Sequence, residues 1–350
     1  MNASLGNGIG PADKQPRCTS SGAVLSNYLA RSIRRLRNRL FYQIKPFVPR
    51  ILQMYIRRTI AQRTREASAG VWPIDPQAGG RPEGWSGWPN QRQFAIVLMH
   101  DVDSVWGQSK CRELMALEEK LGFRSLFSFV PEGYEVSAVL RKELVHNGFE
   151  VGVHGLKHDG KLFVSKNAFV RQARRINQYL KEWESVGFVS PSMHHNLEWT
   201  HALNIEYDTS TFDTDPFEPQ PDGVGTIFPF LVPGKNGRRG YVELPYTLPQ
   251  DFTLFVLMQE KTIDIWKKKL DWIAERGGMA LVITHPDYMN GNGGCTGEEY
   301  PMRLYEELLE YVNDTYKGQY WHPLPKEMAR FWSGNRADWV RRQGALEKTA

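Results

Sequence analysis

The 350 residues carry 41% hydrophobic and 24% charged side chains, a balance that excludes a disordered chain and admits one large α/β domain with an appendage. Cys18, Cys111 and Cys295 are widely spaced and odd in number, which excludes a disulfide framework or a CxxC zinc site and points to a reducing compartment. The net charge of +5 is unevenly spread: between Tyr28 and Arg65 stand eleven Lys or Arg and no Asp or Glu, a bias that speaks of location rather than chemistry.

In chain order, residues 1–27 are rich in Gly, Ser and polar side chains and read as disordered. No basic segment there leads into an apolar leader, and no run approaches the ~20 apolar residues of a membrane span, so the chain reads as cytoplasmic. Leu29, Ile33, Leu36, Leu40 and Ile44 then form a helical stripe among arginines, broken at Pro46 and Pro49. A second basic helical stretch runs to about Glu66, and a Pro/Gly/Trp-rich linker follows, so residues 28–93 read as a basic helical arm and linker. Residues 28–65 suit peripheral contact with the anionic inner face of a membrane, or docking of the apolar stripe on the domain. Trp85 and Trp88 read as pins between arm and domain. No base-reading motif is present, so nucleic acid is not expected as a partner.

From Phe94 to residue 350 short apolar strands alternate with helical patterns. "FAIVLM", "SLFSFV", "FEVGV", "IEYD", "YVEL" and "MALVIT" are the strands; 109–121, 136–147 and 166–185 are the helices. This alternation implies parallel strands with crossover helices. Strand after strand runs into a polar cluster: "HDVD", "HGLKH", "DTSTFDTD", "PYT" and "HPDY". Polar strand ends on one rim are the mark of a (β/α) barrel with one site.

Asp103, His154 and His158 form a metal set. The two histidines are four residues apart, which puts both imidazoles on one side of a helical turn, and a carboxylate from another strand completes a face. Two His and one carboxylate suit a divalent first-row ion, zinc foremost. Asp101 is then free to act as base on a water whose pKa the ion lowers to ~7. Asp208, Asp213 and Asp215 either line the pocket or form turns and caps, and "KKK" at 267–269 reads as a solvated helix face.

With "HDVD" and "HGLKH" in place, residues 94–290 resemble the polysaccharide deacetylases of carbohydrate esterase family 4. That resemblance implies a distorted, incomplete (β/α) barrel. It makes Asp101 the base, Asp103, His154 and His158 the metal ligands, and His285 in "ITHPDY" the acid that protonates a leaving amine. The activity implied is metal-dependent hydrolysis of an N-acyl (acetamido) C–N bond in a sugar or glycan precursor. Its substrate wall would include His100, Pro191, His194, His195 and Asp208. One departure stands out. Where the family carries an arginine that pairs with the base, "GFVSPSMHHN" has Val189, so Asp101 loses a cation that would depress its pKa and orient it. His194 or His195 either compensates or merely hydrogen-bonds within its loop. The rival reading is a catalytically weak member that binds glycan or a partner without turnover.

Overall fold

The computed structural model describes residues 48–220, 222–235, 237, 239–291 and 297–334. The stretch 1–27, the first half of the basic arm, Cys18 and Cys295 lie outside the described residues.

β1 (Phe94–Val102) is buried along its whole length. An apolar run without alternation needs cover on both faces, and parallel strands joined by crossover helices supply it. The chain continues through α2 (Val105–Leu121), β2 (Leu126–Phe129), α3 (Ala138–His146), β3 (Glu150–His154), α4 (Lys166–Glu182), β4 (Gly187–Val189), the single turn α5 (Leu197–Thr200) and β5 (Tyr207–Asp208). β6 (Phe230–Val232), β7 (Tyr241–Glu243), α6 (Asp264–Arg276), β8 (Met279–Thr284), β9 (Met289–Asn290), β10 (Tyr300–Pro301), α7 (Arg303–Thr315) and β11 (Tyr320–Trp321) complete it. α1 (Arg50–Ala67) precedes them all.

The main sheet runs β11-β1-β2-β3-β4-β5-β7-β6, with β8 on the other edge of β1. All its pairings are parallel except β6 with β7. The far edge of β8 meets loops instead of a strand: Met279 N donates to Ile227 O at 2.8 Å, and Thr247 N and Leu248 N both donate to Leu281 O at 3.2 Å. The result is a distorted, incomplete (β/α) barrel.

The helices form where their sequences present one apolar stripe. On α4 the buried residues are Phe169, Ala173, Ile176 and Leu180, and Ser165 caps its start by accepting from Ala168 N. Ser104 caps α2 in the same way, and Gly122 ends it in the left-handed conformation. α6 differs from the expected solvated face. Lys269 is buried, and its Nζ lies 2.6 Å from Asp213 Oδ2 and 2.6 Å from Pro73 O, because this side of α6 faces the Asp213 loop.

α1 lies across the π-helical segment Phe252–Leu257. Arg58 Nε donates to Val256 O at 3.1 Å, Arg65 pairs with Glu260 at 2.5 Å, and Arg50 Nε donates to Glu298 at 2.8 Å. Trp88 is buried, with its Nε1 donating to Gly277 O at 2.8 Å and its ring stacked on Phe228. Among the described residues no helix is long and apolar enough to cross a membrane.

Candidate active site

Strand parity decides which side chains reach the inside of the curled sheet. Asp101 is in register with Ser128, Ser128 with Gly152, and His154 with Val189. Side chains two apart share a face, so Asp101, Asp103, Ser128, His154 and Val189 belong to one face. His100 belongs to the other, which faces α2: its Nε2 lies 2.8 Å from Glu118 Oε1 and its Nδ1 2.7 Å from Thr284 Oγ1. Burial pushes the Glu118 carboxyl up, but His100, Ser125 and Tyr305 outweigh it and hold the carboxyl below its ordinary range. Asp208 shares the register of Phe188 and Glu243, and is fully buried against Ser210 and Glu243. His100 and Asp208 are thus placed in the layer between sheet and helices.

Asp103, His154 and His158 come together. His158 Nε2 lies 3.5 Å and His154 Nε2 3.2 Å from Asp103 Oδ1, and one ligand atom from each residue falls within 4.8 Å of the others. The two histidines do not share a helical turn. His154 ends β3, and Gly155, at φ +63°, turns the chain so that His158 arrives from an irregular loop. A Cβ at Gly155 would also stand 2.5 Å from Pro191 Cδ, so Pro191 packs against the turn that follows His154.

The donor set fits a cation. His154 Nδ1 lies 3.3 Å from Val189 O, and donation there leaves Nε2 with its lone pair towards Asp103 Oδ1, so two acceptors face each other. Asp103 Oδ1 is buried and has no hydrogen-bond partner among the described residues. Burial opposes the charge on Asp103, yet the two imidazoles hold its carboxyl well below the usual range. Burial likewise opposes His154, but Asp101 and Asp103 raise it, whereas burial dominates at His158 and lowers it.

Asp101 sits beside this set, with its Oδ2 4.0 Å from His154 Nδ1. Its Oδ1 is buried without a hydrogen-bond partner, and burial raises its pKa against the pull of His154 and His285. His285, which follows β8, is close enough to influence both Asp101 and Asp103. Its Nδ1 lies 2.7 Å from Asp251 Oδ1, and its backbone N donates to Asp251 Oδ2 at 2.8 Å. Tyr300 OH donates to the same carboxylate at 2.8 Å. Burial would lower the imidazole pKa, but Asp251 raises it to about 10. Val189 is fully buried in β4, so no guanidinium accompanies Asp101 from that position.

The loop that carries His194 and His195 is tied to the segment after β5. His195 Nδ1 lies 3.0 Å from Met193 O, its backbone N donates to Gln220 Oε1 at 2.9 Å, and its Nε2 lies 3.6 Å from Asp222 Oδ1. Burial lowers the pKa of His194.

Two residues join the site that the sequence reading did not single out. Asp251 gave no local signal in "LPQDF", because its partner lies 34 residues away. Asp287 did give one, as the acid in "HPDY". Its Oδ2 accepts from Asp103 N at 2.9 Å and its Oδ1 from Ser104 Oγ, which ties the loop after β8 to the end of β1. Gly107 makes room for it, since a Cβ there would stand 2.1 Å from Asp287 Oδ2.

No family model matches the sequence, and no curated protein does. Solved structures do match the fold. One described as a polysaccharide deacetylase from Mycobacterium smegmatis covers 73% of this chain and 96% of its own at TM-score 0.53 and 16% identity. Another so described, from Pseudomonas aeruginosa PAO1, covers 70% and 92% at TM-score 0.55 and 15% identity. The chain has the polysaccharide-deacetylase fold. A PuuE allantoinase shares that fold, covering 75% of this chain and 98% of its own at TM-score 0.59 and 13% identity. In this deacetylase fold the Asp103, His154 and His158 set and His285 all lie at or just beyond the carboxyl ends of parallel strands, where barrel sites are built.

Proposed function

We propose that this protein is a metal-dependent hydrolase that cleaves the N-acyl C–N bond of an acetamido sugar or glycan precursor. The observation that carries this reading is the convergence of Asp103, His154 and His158, with Asp101 beside them and a carboxylate-held His285 close by. Asp103, His154 and His158 would hold a divalent ion, zinc foremost, which supplies Lewis-acid polarisation of the amide carbonyl when bound. Asp101 takes the proton of the attacking water. His285 carries a proton on the nitrogen that Asp251 leaves free, and delivers it to the departing amine. Ser128 and the side-chain-free Gly152 form the strand floor beneath Asp101 and His154; a Cβ at Gly152 would stand 2.8 Å from Ser128 Oγ. The buried, unpaired Cys111 fits a reducing, cytoplasmic setting, and the basic segment 28–65 fits peripheral membrane contact.

Metal analysis of the purified chain, with acetate release from acetamido sugars, tests the reading. His154→Ala should lose the ion. Asp101→Asn should keep it while losing hydrolysis by about a thousandfold, since an amide cannot accept the proton. Full occupancy in the first variant, or unchanged turnover in the second, would overturn the assignment. A second reading, binding without turnover, is favoured by one observation: apolar Val189 in place of the family's arginine. A loaded wild-type chain that retains acetamido sugars but releases no acetate would establish it.

A further inference from the structure

Asp208 and Glu243 are in register on β5 and β7, share one face of the sheet and are both fully buried. Each has one oxygen occupied. Asp208 Oδ1 accepts from Ser210 Oγ, and Glu243 Oε1 accepts from Thr211 N at 3.0 Å and from Thr211 Oγ1 at 2.6 Å. The other two oxygens, Asp208 Oδ2 and Glu243 Oε2, are buried with no donor among the described residues, where no lysine or arginine pairs with either carboxyl. The two carboxyls are in contact, so one proton held between the facing oxygens satisfies both, where two buried charges would repel. Burial pushes Asp208 up to about 7 and Glu243 well above its ordinary range, which keeps that proton in place near neutrality.

The pair reaches the candidate metal set through a single peptide group. Ser190, which follows β4, donates its backbone N–H to Ser210 Oγ at 2.9 Å, so this hydroxyl accepts from Ser190 while it donates to Asp208. The same planar peptide carries the Val189 carbonyl on its opposite edge. Val189 O accepts from Gly155 N at 3.0 Å and lies 3.3 Å from His154 Nδ1. Carboxylate, hydroxyl, peptide and imidazole therefore form one chain of hydrogen bonds in which each member polarises the next. The chain ends at His154 Nε2, the atom that faces Asp103, and Asp208, Ser210, Ser190, Val189 and His154 are all buried along it.

We infer that the Asp208–Glu243 pair, acting through Ser210 and the Val189–Ser190 peptide, positions His154: it fixes the tautomer and orientation of the ring and makes Nε2 a stronger donor to a divalent ion. Resting on the metal-site reading above, this places Asp208 behind the site instead of on its substrate wall. It also accounts for two acids buried together without a cation. The shared proton removes their repulsion, and the negative charge left on the pair is what polarises Ser210.

The test measures zinc affinity by calorimetric titration and the visible spectrum of the cobalt-loaded full chain, neither of which needs turnover. Ser210→Ala cuts the chain and leaves every candidate ligand in place, so it should weaken zinc binding by about tenfold and shift the cobalt bands. Asp208→Ala should do the same. Asp208→Asn should recover most of the affinity, since its amide donates to Glu243 and its oxygen still accepts from Ser210. A merely structural role would lower the melting temperature of metal-free Ser210→Ala without moving either metal readout, and that result would overturn the inference. An Asp208→Asn variant as impaired as Asp208→Ala would do so too. A wild-type chain that takes up neither ion would sink the metal assignment and this inference with it. Zinc binding that depends on Ser210, without acetate release, would uphold the chain and remove only the hydrolase reading.

Discussion

Asp251 is the residue whose loss should speak most directly about proton delivery. Its carboxylate fixes the His285 tautomer and outweighs the burial that would otherwise discharge the ring. In Asp251→Asn the imidazole pKa falls from about 10, so a rate that needs protonated His285 loses its alkaline limb at lower pH than wild type. Turnover of the metal-loaded enzyme should drop by about a hundredfold, with metal content unchanged, as a pH–rate profile and metal analysis will show. An unshifted alkaline limb would remove His285 as the proton donor. At this scale the sequence is informative where chemistry is concentrated in short motifs: Asp101, Asp103, His154 and His158 stand in two such motifs, and they lie together. It is silent where a partner is remote, as with Asp251. It misleads where motif proximity hides strand parity: His100 adjoins Asp101 in sequence but faces α2.

Between elements, a glycine and a lysine carry measurable weight. Gly107 lies in the first turn of α2, where Ala would ordinarily favour the helix by ~1 kcal/mol. Here the added Cβ would stand 2.1 Å from Asp287 Oδ2, so overpacking of ~1–3 kcal/mol wins. Gly107→Ala should lower the melting temperature and, by shifting Asp287 off Asp103 N, weaken zinc binding in calorimetric titration by about tenfold. Lys269→Ala leaves Asp213 buried without its cation, and denaturant unfolding should show a loss of about 3–5 kcal/mol. The longer strands were legible because an unbroken apolar run stands out from its polar flanks: "FAIVLM" begins β1 and "MALVIT" is β8. β4, β6 and β11 were not, since two or three residues cannot display a period; β5 and β7, equally short, were legible through the polar clusters that follow them. Lys269 was misread because three adjacent lysines look alike in sequence, whereas a helix turns each to a different neighbour.

For the molecule as a whole, buried acids set the pH at which it is most stable. Burial raises Asp208, Glu150 and Asp215 to about 7, and Glu218 to about 8. A carboxyl raised in the folded state binds more protons there than when unfolded, so its contribution is present at low pH and is lost as pH climbs from about 4 through 7 or 8. His285 acts in the same direction, its contribution fading as pH rises through about 10. Asp103 and Glu118, held low, oppose them in acid, and His158, His194 and His322, held low by burial, oppose them up to the ordinary histidine range, so the four acids and His285 decide the slope above it. The metal-free protein should therefore unfold at lower denaturant concentration at pH 8 than at pH 5.5, and Asp208→Asn should flatten part of that slope. A midpoint that rises between those values would contradict the burial of these groups. The pairing of β1 has a different consequence, for synthesis. β1 is joined along one edge by β8, with His100 and Thr284 lying 184 residues apart, and at its start by β11. A ribosome therefore releases the central strand long before the strands that cover it exist. Nascent chains halted short of Met279 should expose that bare edge, bind chaperone and resist protease poorly, and gain protection abruptly once β8 emerges.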